Sequence, residues 1–198
     1  MARPRSDDQR PPTRERILAS AASVFAAQGL ANATLADIAA GAGIRRPSLL
    51  YHFDTKNTLY EAVVGRAFEA LGAELALTMA SPAPFRQQAV GLGLALEAFL
   101  AAHPTHAPII VRELVDDGPG RAILVEQVAP LLDQVVRFLS TRGAGELRPG
   151  LHLRAAVLQV ISALLLHAAT PARDALWAGP PHTESLIRTL FFAPTEEA

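Results

Sequence analysis

The stretch TLADIAAGAGIRRPSLLYHF, residues Thr34 to Phe53, decides the fold. Its apolar residues fall where two short helices and a tight turn require them: Ile38 and Ala42 face inward from the first helix, Ile44 and Leu49 from the turn and the second. Ala39 is small at the point where the helices cross. Gly43 occupies the turn, where a positive φ costs glycine little. These requirements are geometric, they are met together, and they describe a helix-turn-helix.

The second helix, from residue 45 onward, then presents Arg45, Arg46, Ser48 and the Tyr51-His52 pair outward, with Pro47 preset for a first helical turn. An arginine reaches guanine O6 and N7 in the major groove with two hydrogen bonds. Ser48, Tyr51 and His52 suit bases or phosphates. Lys56, near the start of the following helix, adds its charge to free backbone N–H groups, a phosphate site, and Thr34 can do the same one helix earlier. A helical hairpin whose charged face is merely solvated accounts for the same residue types and stands beside the DNA-binding reading.

Composition is compatible with both. Half of the 198 residues are hydrophobic, yet charges interrupt the apolar positions, and no run of about 18 uncharged apolar residues signals a membrane span. There is no cysteine, hence no disulfide framework and no zinc-thiolate site. The N-terminal MARPRSDDQRPPTRER lacks the apolar core of a secretory signal, so the cytoplasm is the expected location. The net charge of -1 conceals an asymmetry: residues 1–60 hold eight Lys/Arg and five Asp/Glu, the remainder ten and fourteen. A basic first third on an acidic remainder suggests different partners for the two parts.

Ala and Leu dominate after Pro12, and apolar residues recur at three- and four-residue steps, so the expected class is all-α. Helices are expected over 13–28, with Gly29 as a stop, over 34–40, 45–53 and 54–80, and then over 85–102, 106–117, 120–141, 150–169 and 183–192. A short one is expected near 172–177. Asp54 and Thr55 both qualify to cap the fourth helix, and Pro130 should kink the helix that contains it. The expected domains are a basic arm over 1–12, a three-helix DNA-binding domain over 13–60, and a helical body over 61–198.

In the body, Phe85, Leu92, Phe99, Ile110, Leu114, Phe138, Leu158 and Trp177 are candidates to line a cavity. Plain packing explains each of them as well. His103, Arg112, Glu113 and His167 lie among apolar neighbours, where a buried polar group needs a partner, and a ligand is one such partner. The HPTH segment spaces His103 and His106 by three, but the proline between them and the lack of a third ligand argue against a metal. No cofactor is expected. LHLRAAVLQVISALLLHAA and TESLIRTLFFA are apolar enough either to form a four-helix interface between two subunits or to complete the monomer's own core.

Thr34, Ile38-Ala39, Ala42-Gly43, Leu49, His52-Phe53, Lys56 and Leu59 resemble the DNA-binding domain of the TetR family of transcriptional regulators, over Thr13 to Tyr60. That resemblance implies a DNA-binding head, a helical body that dimerises and takes a small, largely apolar effector, and repression at a palindromic operator relieved by that effector. It also implies DNA contacts at Thr34, Arg46, Ser48, His52 and Lys56. Two positions depart from the family pattern. Arg45 stands where a capping Ser or Thr is usual, and Leu50 where a phosphate-contacting tyrosine is usual. One residue along a helix is a rotation of about 100°, so Tyr51 does not inherit that role; Leu50 suits a thymine methyl and Tyr51 a different phosphate. The competing function class is a hydrophobic-ligand carrier or small enzyme without DNA binding. No Ser-His-Asp order, carboxylate pair or phosphate loop supports the enzyme.

Overall fold

The computed structural model describes residues 11–115, 120–170, 177 and 179–193. Among them are nine helices and no strand: α1 (Thr13–Asn32), α2 (Leu35–Gly41), α3 (Arg46–His52), α4 (Lys56–Ala80), α5 (Phe85–Ala102), α6 (His106–Val115), α7 (Gly120–Arg142), α8 (Leu153–Ala169) and α9 (Thr183–Phe191). The chain divides into two compact units at Val63/Val64, three residues beyond the expected boundary. The short helix expected near 172–177 and the arm through residue 10 lie outside the described residues.

The first unit is built on α1, whose Ile17, Ala21 and Phe25 are wholly buried. Gly29 ends the regular part of that helix with φ 73° and ψ 168°, where the sequence places a stop. Thr34 caps α2: its hydroxyl accepts from Asp37 N at 3.1 Å and donates to the Asp37 carboxylate at 2.7 Å. Two side chains of α1 close the other end of α2, Ser20 Oγ donating to Ile38 O at 2.8 Å and Arg16 Nε to Ala42 O at 3.2 Å. Ile38 O also accepts from Ala42 N at 3.0 Å, so Ser20 adds a second donor there, whereas Ala42 O lies past the end of the helix and is met by Arg16. The approach is close enough that a Cβ on Gly41 would stand 2.4 Å from Ser20 Oγ.

The turn after α2 is a Schellman motif. Ile44 N donates to Ala39 O and Gly43 N to Ala40 O, each at 3.0 Å, with Gly43 at φ 67°. Ile44 itself is half-buried. Leu49 and Ile38 are fully buried and Ala39 nearly so, which locks α3 onto α2. Phe25 and Tyr60 meet edge to face at 5.1 Å across the same core. At the start of α4, Thr55 and Thr58 bond reciprocally, Thr58 N to Thr55 Oγ1 at 3.0 Å and Thr55 N to Thr58 Oγ1 at 3.2 Å. Of the two capping candidates Thr55 takes the position, in a hydroxyl version of the capping box.

In the second unit, α5 and α6 form a bend of 102° at the HPTH break. Gln88 is buried on α5 and its amide donates to Met79 O at 3.1 Å and Ser81 O at 2.7 Å, closing the end of α4. The most extensive helix contacts in the unit are those of α9 with α5 and of α6 with α8. Arg148 closes the far end of α9 by donating to Thr189 O and, at 3.0 Å, to Phe192 O. Glu113 is buried on α6 with its carboxylate against Gly120, the first residue of α7. Pro130 faces solvent inside α7, which continues as one element on both sides of it. No single described helix is long and apolar enough to cross a membrane.

Because Gly43 has open space around its missing Cβ but a left-handed backbone, Gly43→Ala isolates the conformational cost alone. It is expected to destabilise the protein by about 1–2 kcal/mol, read as a lowered midpoint in urea with unchanged slope.

Candidate nucleic-acid interface and body cavity

Helix α3 has one buried face and one open face. Leu49 is 0% exposed, while Tyr51, two positions on, is 87% exposed. Arg45, Arg46, Ser48 and His52 share the exposed state, and Leu50 is half-buried between the two faces. Arg45 holds the cap position with φ -86° and ψ 151° and no side-chain cap hydrogen bond, followed by Arg46 and Pro47 in the first turn. The Tyr51 and His52 rings meet edge to face at 5.4 Å. Thr34 is exposed at the start of α2, its hydroxyl engaged by Asp37. Two guanidinium groups and two rings with hydrogen-bonding atoms thus stand on solvent, carried by a helix whose rotation Leu49 fixes. Such a helix can enter a major groove and address base edges and phosphates together.

Lys56 has a further function that its position in the sequence does not announce. Its ammonium donates to Ala31 O at 3.0 Å and Ala33 O at 2.8 Å, carbonyls of the segment that follows the Gly29 break. The side chain therefore ties the start of α4 to the α1–α2 connection.

The second unit contains a cavity of about 120 Å³. Among the described residues every one that lines it is Gly, Ala, Val, Leu, Ile or Phe, contributed by α4 through α9. Of the side chains proposed from sequence as effector contacts, Phe99 and Ile110 line it, and so does Leu92 from the broader set. The others do not. Leu114 is 51% exposed, Leu158 is also exposed, Phe138 is half-buried off the lining, and Phe85 packs edge to face on Phe192. His103 is exposed, Arg112 half-buried outside the wall, and His167 takes Gly179 O at 3.2 Å with its ring against Trp177. Residues missed from sequence include Phe68, Leu131, Val160 and Ile187, on four different helices.

His103 and His106 do come together, with ring centroids 5.2 Å apart and both rings against Phe99. Among the described residues no group of three ligating side chains is assembled around them.

The family model described as bacterial regulatory proteins, tetR family, matches residues 17–63, the span that carries the buried α1 face, the turn and α3. The likeness to the TetR family is carried by this head. Among curated relatives of the TetR head, the transcriptional repressor BepR of Brucella suis is 40% identical over 55 residues, 28% of this chain and 26% of BepR. The biofilm operon negative regulator IcaR of Staphylococcus aureus (strain Newman) is 38% identical over 58 residues, 29% of this chain and 31% of IcaR. The aligned stretch thus spans under a third of either relative. Solved structures extend the likeness of fold to the body: the ketosteroid transcriptional regulator KstR2 of Mycobacterium tuberculosis superimposes with a TM-score of 0.72 at 21% identity, over 94% of this chain and 98% of that one. For the fatty acid degradation regulator FadR of Bacillus halodurans the TM-score is 0.71 at 17% identity, over 92% and 94%.

Removing the Lys56 ammonium leaves the Ala31 and Ala33 carbonyls without that donor. Lys56→Met is accordingly expected to cost about 1–2 kcal/mol of stability in the absence of DNA, measured by chemical denaturation; an unchanged midpoint would show that the two bonds contribute nothing net.

Burial pushes the His106 imidazole below its ordinary value; its hydrogen bond with the His103 carbonyl acts the other way, and the charge of His103 lowers it further. The unfolded chain therefore takes up the proton first as pH falls, so this stability is present above the unfolded value, about 6.5, and is lost as pH falls toward the lowered folded value. The denaturation midpoint is expected to drop with pH across that window, with a shallower slope in His106→Gln.

Proposed function

We propose that this TetR-family chain is a transcriptional regulator, a repressor, that binds a palindromic operator as a homodimer and is released by a small apolar effector. The observation that carries the proposal is the exposed face of α3, where Arg45, Arg46, Ser48, Tyr51 and His52 stand on solvent over a buried Leu49. In this reading Arg46 reads a guanine, and Arg45, Ser48 and His52 contact bases or phosphates. Leu50 touches a thymine methyl while Tyr51 takes a phosphate to one side of it. Thr34 and Lys56 bind phosphate at the starts of α2 and α4 and set the register of the head on the duplex.

Dimerisation is supported by α8, which leaves Ala155, Leu158, Gln159, Ser162 and Leu166 exposed along one face. Covering that stripe with its own copy removes apolar surface from water and pairs two heads for two half-sites. The effector is assigned to the body cavity. It acts by population shift, favouring the body conformation whose heads no longer match operator spacing, with α4, which begins in the first unit and ends in the second, carrying the change. DNA then weakens effector binding by the same factor.

Gel-shift titration over fragments of the region upstream of the protein's own coding sequence tests this. A retarded fragment that survives competitor DNA, with affinity falling linearly in log salt by about 0.9 per phosphate neutralised, is the expected result; sequence-indifferent binding removes the regulator and leaves the carrier. On the selected fragment, Arg46→Ala is expected to weaken binding by about 1–3 kcal/mol and to relax one operator position. Equal losses on every sequence would make Arg46 a phosphate contact instead.

A further inference from the structure

The cavity in the second unit is defined by what its wall lacks. Side chains from six helices meet there, among them Phe68, Ala89, Ile110, Leu131, Val160 and Ile187, and among the described residues none of the lining side chains carries a nitrogen or oxygen. The polar groups buried in this unit are turned elsewhere: Gln88 donates to Met79 O and Ser81 O, Thr183 to Glu97, and the Glu113 carboxylate lies against Gly120. None of the three lines the space. Backbone groups there belong to helices, whose carbonyls and N–H groups already bond along the chain.

We infer that this cavity takes an uncharged hydrocarbon group of about the size of one benzene ring, held by contact alone and making no hydrogen bond to the protein. The inference rests on the reading of the body as the effector-binding part and specifies the chemistry of that effector. Volume sets the size: at about 120 Å³ the space approaches that of an engineered apolar cavity in another protein, about 150 Å³, that accepts benzene or xenon. The wall sets the polarity. A hydroxyl carried into it loses its water and finds no partner, which weakens binding roughly ten- to hundredfold, and a carboxylate is excluded. A larger effector places any polar group outside the cavity and only its hydrocarbon end within. Because the wall is drawn from α4 through α9, occupation changes the packing of every helix of the body at once.

The test uses the full-length protein without DNA and three probes of one ring size: benzene, phenol and benzoate. Thermal unfolding and ligand-detected NMR are expected to show saturable benzene binding with a raised Tm, phenol at least about tenfold weaker, and no binding of benzoate. Ala89→Leu, which places an isobutyl group in the cavity, is expected to abolish benzene binding while unfolding remains cooperative. Should that variant fail to fold, Val157→Leu fills the same space from α8 and is read in the same way. Absence of benzene binding to the unaltered protein, phenol or benzoate binding as tightly as benzene, or wild-type benzene affinity in a folded filled variant overturns the inference. Since no DNA is present, each of these failures is separate from failure of the gel-shift experiment.

Discussion

The burial of Leu49 where α3 packs on α2 is the constraint on which the head depends. A helix of seven residues is too short to be stable by its own hydrogen bonds, and α3 lacks a side-chain cap as well. Its existence and its rotation both come from tertiary packing. With Leu49 held inside, Tyr51, two positions on, falls about 200° round the helix and stands on the opposite side, while the arginines, the serine and His52 are exposed along the rest of this short helix and its cap. The Schellman turn at Gly43 then sets the angle between α2 and α3, and Ser20 and Arg16 of α1 hold the far end of α2 in place.

Local chemistry is what made the head legible in its sequence. Gly29, Thr34, Gly43 and Thr55 each act on the backbone within a few residues, so a helix stop, two caps and a turn can be read from neighbouring letters. Even here the reading had limits. Ile44, expected to face inward from the turn, is only half-buried there, and Lys56 bonds carbonyls 23 and 25 residues earlier in the chain, a relation that no local pattern contains.

The body was legible as helices and largely illegible as a site. Its element bounds follow from Pro, Gly and His breaks, and α5 begins and ends where those breaks place it. Which apolar residue meets which depends on the phase of six helices at once. Leu114 and Leu158 look like core letters and face solvent, while Val160, two residues from Leu158, faces the cavity. Histidine and arginine attracted attention because a polar residue among apolar neighbours looks purposeful. His167 and the His103–His106 pair found partners in the backbone and in neighbouring rings.

The unbroken hydrocarbon wall of the body cavity also determines what a ligand competes with. A wall whose described side chains carry no hydrogen-bonding group holds water weakly. An incoming group then gives up little ordered water, and the released-water entropy that usually drives apolar association is small. Binding draws instead on new dispersion contacts, which makes it exothermic near room temperature while its heat-capacity change stays negative.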